Sequence, residues 1–462
     1  MKKHYLFFFS LLPALFFSYL SPALLSFGSL QTSPETLFNL PNGLRVLIID
    51  RQASPLAHVV LGVGFGSKDE SPSTYGLAHF LEHAILFRGE RSKPVETIHR
   101  GLRKRGGWLN GHTSQDLTLF ELSIPVSEVE SGIAAFADLI FNLKLSDQDI
   151  LEEKEIILEE MNLQAAEPFS LGITLAYEYL FPEHPYGHPI IGTKESLSQL
   201  SRDEIMAAYH NYYHPDNCVL VSVADSSAVK VKEVVEKYFG PLEMNKTERP
   251  APPKLAPLPK TPRIERQLDI QQSHLFVACR APDITNVDQY AFDLLTTIFG
   301  RGPNPLLPLA LARKRVQVAS SYVFYYSHRY AGMLMLHFIL HPKQLASAER
   351  EAIQFLRQAY RENYSPDDVL GEAREYVLDF IGSARNMLLL SSERNVADGR
   401  NLASVAATYL LLLEGSSLPP YSETVASLQS TDLRKVASKY LARPELVTIV
   451  INPLHPAAKK SK

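Results

Sequence analysis

Apolar runs of strand length and longer amphipathic segments follow one another along the chain in no strict order. Residues 58–64 and 273–279 are such runs and predict strands, and a third run begins at Cys218. The interval between Gly76 and Gly89 contains good helix formers and no breaker, so it predicts a helix. Because strands and helices are mixed without regular alternation, we expect an α+β fold in which helices cover one face of a mostly antiparallel sheet.

Two segments, one near the end of each half of the chain, share one pattern. Residues 200–223 and residues 428–451 each predict a capped helix, then a tyrosine, a proline turn and a β-branched strand. Helix-turn-strand units are common in α+β proteins, but the shared order and spacing favour an internal duplication. Between the halves, residues 246–262 hold six prolines, which exclude a helix and favour an extended linker. We therefore expect homologous domains at residues 36–245 and 263–456.

The first residues have the pattern of an export signal. Two lysines at positions 2 and 3 precede an apolar run at residues 5–20, and Ser21 and Ala23 offer a cleavage site between small residues. The run is interrupted by Pro13 and is shorter than the ~20 residues that a membrane-spanning helix needs. We therefore expect a cleaved signal peptide at residues 1–23 and a periplasmic location, with an uncleaved membrane anchor as the alternative.

Length and composition exclude several classes of protein. A chain of 462 residues exceeds the ~250–300 residues at which a single core stops growing, so it holds at least two domains. A net charge of −4 provides no basic excess for a phosphate backbone, which argues against a nucleic-acid partner. Cys218 and Cys279 are the only cysteines, and both lie in apolar runs, so we expect no disulfide framework.

Two histidines and a glutamate in the predicted helix form a candidate metal site. His79 and His83 are four residues apart, so both imidazoles project from one face of a helix and can bind one ion. Glu82 lies on the same turn, where it can act as a general base without being a ligand. A lone buried histidine usually only makes a hydrogen bond. Three ionisable groups on a nearly apolar helix are costly to bury without a cation, so the pattern favours catalytic zinc.

A third metal ligand has to come from another segment, and the acidic stretch at residues 151–161 is the candidate. Helical spacing places Ile156, Ile157 and Met161 on one apolar face, and both Glu153 and Glu160 lie within that face. The other three glutamates of this stretch, at positions 152, 155 and 159, point the other way. Periodicity alone does not rank Glu153 and Glu160.

These residues, taken together, resemble a known family. The HxxEH motif at residues 79–83, with a glutamate 77 positions after His83, is similar to the pattern of the pitrilysin, insulysin and mitochondrial processing peptidase family, the inverzincins of peptidase family M16. Further matches in the same order occur at residues 66–70, 106–114, 153–160, 185–189 and 192–193. The resemblance implies a Zn²⁺-dependent endopeptidase with two homologous domains. It also implies Glu160 as the third ligand, Glu153 as the acidic residue that orients the site, and two chains enclosing a chamber for peptide substrates.

The stretch Gly106–His112 resembles the edge strand to which the family adds its substrate. By this resemblance Asn110 binds the substrate backbone, although an asparagine beside glycines is also typical of a turn. The family usually has alanine where Gly111 stands, and His112 is an additional histidine. We expect His112 to be a surface or hydrogen-bonding residue, because a catalytic zinc keeps one position open for water.

The second half departs from the family at two positions. Active members carry an arginine and, seven residues later, a tyrosine that contact the substrate, and these positions align with Ala312 and Ala319. Arg315 and Tyr322 have the same spacing but require a shift of three residues, which we do not favour. We therefore expect a heterodimer in which a paralogous subunit supplies the pair, and otherwise a homodimer. A non-catalytic peptide-binding or assembly subunit is the competing hypothesis, whereas a structural zinc site is disfavoured because such sites are usually closed by four ligands rich in cysteine.

Overall fold

The computed structural model describes residues 35–225, 229–245, 254–258, 261–302, 305–361, 380–413 and 421–455. The predicted signal peptide at residues 1–23 lies outside the described residues, as does most of the predicted linker. Below, the N-terminal half means the described residues up to 245, and the C-terminal half means those from 261 onward.

Eleven described strands form two mixed sheets. The first sheet has the order β1-β2-β6-β3-β5-β4 and the second has the order β7-β11-β8-β10-β9. Only the pairs β2–β6 and β7–β11 are parallel among the described strands. The strands are β1 Glu35–Asn39, β2 Arg45–Asp50, β3 Leu56–Val63, β4 Trp108–Thr113, β5 Thr118–Pro125, β6 Cys218–Ala224, β7 Arg263–Leu268, β8 Ser273–Ala281, β9 Ser320–Ser327, β10 Gly332–Leu340 and β11 Leu446–Pro453.

Fifteen described α-helices complete the two halves. The N-terminal half holds α1 Leu77–Phe87, α2 Val95–Lys104, α3 Val129–Phe141, α4 Asp147–Ala166, α5 Pro168–Leu180, α6 Lys194–Gln199, α7 Arg202–Tyr212 and α8 Val231–Phe239. The C-terminal half holds α9 Asp288–Thr296, α10 Leu306–Arg313, α11 Leu345–Gln358, α12 Phe380–Ala397, α13 Gly399–Leu412, α14 Tyr421–Ser427 and α15 Ser430–Leu441. The α+β class and the mostly antiparallel sheets predicted from the sequence are confirmed.

The element order repeats between the halves. In the first half β3, α1, α2, β4, β5 and α3–α7 lead to β6, and in the second half β8, α9, α10, β9, β10 and α11–α15 lead to β11. The helix, turn and strand that suggested a duplication are α7 with β6 and α15 with β11. The helix that corresponds to α1 is α9, and its sequence contains no histidine. The histidine pair of α1 is therefore not repeated in α9.

Each sheet carries helices of its own half on one face and a helix of the other half on the opposite face. Helix α13 packs its Leu402, Ala406 and Leu410 against β2, β3 and β6 of the first sheet. Helix α5 packs against β8 and β11 of the second sheet, and Gly172 lets it approach closely, since a Cβ there would lie 2.3 Å from the ring of Phe276. The sequence predicted a helical cover on one face only, and this exchange of helices covers the other.

The two sheets also meet through their hairpins. Asp116, in the turn between β4 and β5, accepts hydrogen bonds from the Tyr186 hydroxyl at 2.6 Å and from the backbone N–H of Arg329 at 2.9 Å. Arg329 lies in the turn between β9 and β10, so a buried carboxylate joins the corresponding hairpins of the two halves. None of the helices in the described part of the chain is long and apolar enough to span a membrane.

Candidate metal centre

Helix α1 is fixed at its N-terminus by a buried carboxylate. Glu70 accepts hydrogen bonds from the backbone N–H groups of Gly76 at 2.8 Å and of Ala78 at 2.7 Å. Such bonds satisfy donors that a helix leaves unpaired in its first turn. Gly76 has φ of +93°, and a Cβ there would lie 2.6 Å from the carbonyl oxygen of Ile191, so only glycine fits this start. The start of α1 is therefore fixed at Gly76, ahead of the first histidine, His79.

Three side chains from two helices converge beside α1. The Nε2 atoms of His79 and His83 lie 3.8 and 3.6 Å from Oε2 of Glu160, which α4 contributes. One ligand atom from each residue lies within 4.8 Å of the others. His79, His83 and Glu160 form the only group of three or more His, Cys, Asp or Glu side chains in the described residues with such spacing.

The separations of these atoms fit a shared zinc ion. Tetrahedral ligands at 2.0–2.1 Å from zinc are separated from one another by roughly 3.3–3.4 Å, slightly less than the distances between the imidazole nitrogens and Oε2. Those distances are too long for hydrogen bonds, so the carboxylate and the imidazoles do not satisfy one another directly. Two imidazoles and one carboxylate are also a known donor set of catalytic zinc sites. The residues therefore fit the Zn²⁺ site that the sequence predicts.

Glu153 orients His83 from the side away from Glu160. Its Oε1 lies 2.7 Å from Nδ1 of His83, and its Oε2 accepts a hydrogen bond from Nε of Arg88. Arg88 also donates from Nη1 to Glu152 at 2.9 Å. Because Glu153 is 1% exposed and accepts the Nδ1 proton, Nε2 of His83 is the nitrogen left with a lone pair for a metal.

Glu82 lies between the histidines and the edge strand β4. Its Oε2 accepts a hydrogen bond of 2.7 Å from the hydroxyl of Thr113, which fixes the carboxyl group from one side. A Cβ at Gly111 would lie 3.2 Å from Cγ of Glu82 and 3.0 Å from Leu86. Glycine at this position therefore leaves space beside the candidate base that an alanine would fill.

Burial and neighbouring charges shift the ionisation of the ligands. Burial, with a smaller contribution from His83, holds the pKa of His79 well below its usual value. Burial alone would lower the pKa of His83, but the hydrogen bond to Glu153 and the surrounding carboxylates raise it overall. Burial raises the pKa of Glu160 against the opposing influence of His83. The carboxylates at 82, 153 and 160 thus crowd into a poorly solvated space, where a divalent cation would offset their repulsion.

The structure separates the two glutamates that periodicity left unranked. Glu160 reaches the space between the histidines, whereas Glu153 lies behind His83. The apolar face proposed for this helix is partly wrong, because Ile156 is 40% exposed while Ile157 is fully buried. Helix α4 buries only a narrow stripe of its surface. Ile156 lies beside that stripe and therefore still faces solvent.

Asn110 lies on the face of the first sheet opposite the metal centre. Its pairing partner is Glu121, whose side chain accepts a hydrogen bond from Ser404 of α13, and directly paired residues project from the same face. Thr113 and Gly111 project from the other face, towards Glu82. His112 shares the face of Asn110 and is not part of the metal-binding group. The substrate-binding role of Asn110 stays a prediction, and it would act from the far face of the strand.

The sequence did not single out Glu70, Arg88 or Thr113 as parts of the site. The segments holding Glu70 and Thr113 were matched to the family without a role for either residue. Arg88 directly follows the last residue of α1, and its contacts with Glu152 and Glu153 span more than sixty positions, so no local pattern reveals them.

The positions aligned with the arginine and tyrosine of active family members are both exposed. Ala312 lies in the last turn of α10, and Ala319 directly precedes β9. Tyr322 lies further along β9, is 43% exposed and stacks on His337, on the face against which α5 packs. Ala319 and Val323 are an even number of positions apart, so their side chains project from the same face of the sheet. Val323 packs with the helices of the C-terminal half, on the face opposite α5.

The chain is similar to known proteins in sequence. Residues 45–194 match the family described as Insulinase (Peptidase family M16), and residues 199–375 match the Peptidase M16 inactive domain. An uncharacterized zinc protease of Bacillus subtilis is 25% identical over 304 residues, which are 65% of this chain and 72% of that protein. A protein of Arabidopsis thaliana named "Probable mitochondrial-processing peptidase subunit beta, mitochondrial" is 29% identical over 285 residues, 60% of this chain and 53% of that protein.

Solved structures show the same fold. A protease from Helicobacter pylori has a TM-score of 0.79 at 20% identity and covers 91% of this chain and 100% of its own. A structure described as a peptidase M16 inactive domain from Pseudomonas fluorescens has a TM-score of 0.77 at 17% identity, with coverage of 91% and 98%. The family matches together span well over half of the sequence; the first lies within the N-terminal half, and the second runs from the end of that half into the C-terminal half. The chain therefore belongs to peptidase family M16, the insulinase family.

Proposed function

We propose that this protein is a zinc-dependent endopeptidase that cleaves peptides or unfolded segments. The observation that carries the proposal is the convergence of His79, His83 and Glu160 within 4.8 Å, with Glu82 on the same turn of α1. Relatives named as zinc proteases support the choice of metal.

Each residue of the metal centre has a separate role in the proposed hydrolysis. When bound by His79, His83 and Glu160, zinc supplies a Lewis acid that makes water a better nucleophile and stabilises negative charge on a peptide carbonyl. Glu82 accepts the proton of the attacking water and returns it to the leaving amine, which breaks the peptide bond and leaves the glutamate unchanged. Thr113 holds one oxygen of Glu82, and Glu153 keeps His83 in the tautomer whose Nε2 faces the ligand group.

The open edge of β4 is the proposed substrate track. Among the described strands only β5 pairs with β4, so the outer backbone groups of Trp108–Thr113 are available to an extended peptide. Thr113 joins this strand to Glu82 by the 2.7 Å hydrogen bond. A peptide added here therefore brings its backbone beside the base, and because backbone bonds hold it, many sequences can bind.

We also propose that the active enzyme contains a paralogous subunit. Ala312 and Ala319 replace the arginine and tyrosine expected by resemblance, so one chain lacks those groups for stabilising the transition state. Export to the periplasm is proposed on the leader sequence alone.

Metal analysis and a quenched-peptide assay of the wild type and Glu82→Gln, each with and without the paralogous subunit, test these proposals. We expect one zinc per chain in both, and a fall of about 10²–10⁴-fold in hydrolysis for Glu82→Gln in the complex. The isolated wild-type chain should be weakly active. Absence of zinc from the wild type would refute the metallopeptidase, and full turnover by the isolated chain would refute the two-subunit enzyme.

A further inference from the structure

The single tryptophan of the chain lies at the start of the open edge strand. Trp108 is the first residue of β4 and is 41% exposed. Arg400, in the first turn of α13, places its guanidinium carbon 4.8 Å from the centre of the indole ring, within the range of a cation–π interaction. Because α13 comes from the C-terminal half, this Trp108–Arg400 pair connects the exchanged helix with the strand beside the metal centre.

The polar groups of this pair are available to a ligand. Among the described residues, no carboxylate lies within ion-pair distance of the Arg400 guanidinium, and no acceptor binds the indole N–H of Trp108. Asp398 lies two residues before Arg400, but its Oδ1 already accepts hydrogen bonds from the backbone N–H groups of Arg400 and Asn401. A positive charge and an N–H donor therefore lie together at a partly exposed point.

A carboxylate is the chemical group that matches this point. The planar guanidinium binds carboxylates through paired N–H donors, and stacking on the indole limits its motion. The only described acidic side chain in the middle of this face is Glu121, opposite Asn110, where it bonds Ser404 at 2.5 Å. A substrate carboxylate near Asn110 would be repelled by Glu121, whereas one at Trp108 would meet Arg400. The preference should therefore be confined to one position of the peptide.

The strand geometry places this position away from the bond that is cleaved. Trp108 and Thr113 are the two ends of β4, so Trp108 lies roughly 10–17 Å from the part of the strand beside Glu82. Trp108 projects from the face opposite Thr113 because it pairs with Ser123 and shares the parity of Asn110. A side chain bound there touches no reacting atom, so it should affect peptide binding and KM more than kcat.

We propose that Trp108 and Arg400 form a subsite that selects an acidic side chain three to five residues from the scissile bond. This proposal rests on the proposed peptidase function, since it assigns the subsite to a peptide added along β4. It makes the C-terminal half, through α13, a part of the substrate-binding surface of the N-terminal half in the same chain.

Titration of zinc-loaded Glu82→Gln protein, in complex with the paralogous subunit, tests the subsite. The probes are ten-residue peptides without aromatic residues, each with one glutamate at a successive position, and their glutamine counterparts. A paralogue free of tryptophan, or with its tryptophans replaced, leaves Trp108 fluorescence as a direct readout. We expect one position at which glutamate binds about fivefold more tightly than glutamine and changes that fluorescence.

Three substitutions in the same Glu82→Gln background identify the group responsible. Arg400→Gln should abolish the glutamate preference, and Arg400→Lys should retain part of it because the charge remains. Arg103→Gln, which removes an exposed arginine of α2, should keep the full preference and serves as the matched control.

The outcomes separate this subsite from the proposed activity. A glutamate preference that is absent, or that persists unchanged in Arg400→Gln, would overturn the subsite even if wild-type protein hydrolyses peptides. Failure of the wild-type complex to hydrolyse any peptide would instead overturn the peptidase, because binding to Glu82→Gln is read without turnover. In active protein, the glutamate-to-glutamine ratio of KM should change in Arg400→Gln while the ratio of kcat stays constant.

Discussion

At the residue scale, Arg88 connects the two helices that supply the metal ligands. It follows the last residue of α1, and its guanidinium bonds Glu152 and Glu153 of α4. We predict that Arg88→Gln weakens zinc binding about 10–100-fold, because Glu153 loses the partner that fixes its position behind His83. Competition with a chromophoric chelator measures the affinity.

Two controls distinguish this role of Arg88 from a general loss of stability. Arg100→Gln removes an exposed arginine of α2 and should leave zinc affinity unchanged. Circular dichroism should show that metal-free wild type and Arg88→Gln are both folded at the assay temperature, although the variant unfolds at a lower temperature because the buried Glu153 loses a charged partner. An unchanged zinc affinity in Arg88→Gln would contradict the prediction.

How far single residues could be predicted depends on how local their signal is. The histidine pair and Glu82 fall within one helical turn, so helical spacing alone brought them together. Glu153 and Glu160 share one helix, and their periodicity is nearly equal, so only the position of α4 against α1 separates them. Arg88 acts through contacts with residues 64 and 65 positions away, for which a single sequence carries no pattern.

At the scale of elements, the exchanged helices depend on close packing of small residues. Gly172 of α5 leaves no space for a Cβ beside the fully buried Phe276. We predict that Gly172→Ala lowers the free energy of unfolding by about 1–3 kcal/mol, because the ring or the helix has to move. Chemical denaturation measured by circular dichroism gives the value.

Gly101 offers the matched control for Gly172→Ala. It lies within α2, and the nearest heavy atom to a Cβ there is Nη1 of Arg105 at 3.7 Å. Gly101→Ala should therefore raise the free energy of unfolding by about 0.5–1 kcal/mol, as expected for a helix interior without a clash. Equal effects of the two substitutions would show that the α5 contact has no special role.

Periodicity predicted the elements better than their placement. The capped helices, the strands at 58–64 and 273–279 and the helix of the HxxEH motif all form, because each is marked by a hydrophobic pattern that is local in sequence. The sheet of one half and the helix of the other are brought together by tertiary packing, and an apolar helix such as α13 gives no sign of which sheet it covers. This exchange also delivers Arg400 to β4, so the proposed subsite could not be read from the sequence.

At the scale of the whole molecule, Asp116 joins the two halves through a buried network. Besides Tyr186 and the backbone of Arg329, it lies 3.6 Å from Nδ1 of His328. Burial alone would raise the pKa of Asp116, but His328, Lys68 and Tyr186 outweigh burial and hold it below the usual value. The ionised carboxylate is therefore more favourable in the folded protein than in the unfolded chain.

The lowered pKa of Asp116 determines the direction in which the free energy of unfolding changes with pH. The stabilisation from Asp116 should be present above its unfolded pKa of ~3.9 and should be lost as the pH falls through the lower folded pKa. We predict that Asp116→Asn lowers the free energy of unfolding by about 1–3 kcal/mol at neutral pH, and that the difference from wild type narrows below about pH 4. Urea denaturation of both proteins from pH 3 to 7 measures it; a constant difference would contradict the prediction.

The arginine and tyrosine of active family members align either with Ala312 and Ala319 or, after a shift of three residues, with Arg315 and Tyr322. These two alignments predict opposite results for the enzyme. If the pair belongs to another chain, Ala312→Arg with Ala319→Tyr should give an isolated, self-associating chain at least tenfold more activity, because donors that stabilise the transition state contribute about 10²–10³-fold each. In the complex, Arg315→Ala with Tyr322→Phe should leave kcat within about twofold of wild type, since on this alignment neither side chain contacts the substrate and the ring of Tyr322 stacks on His337. Steady-state hydrolysis of one quenched peptide by wild type and both double variants, each as the isolated chain and in the complex, decides between the alignments. An isolated wild-type chain with full turnover that Arg315→Ala with Tyr322→Phe abolishes would place the pair in this chain and remove the need for a partner.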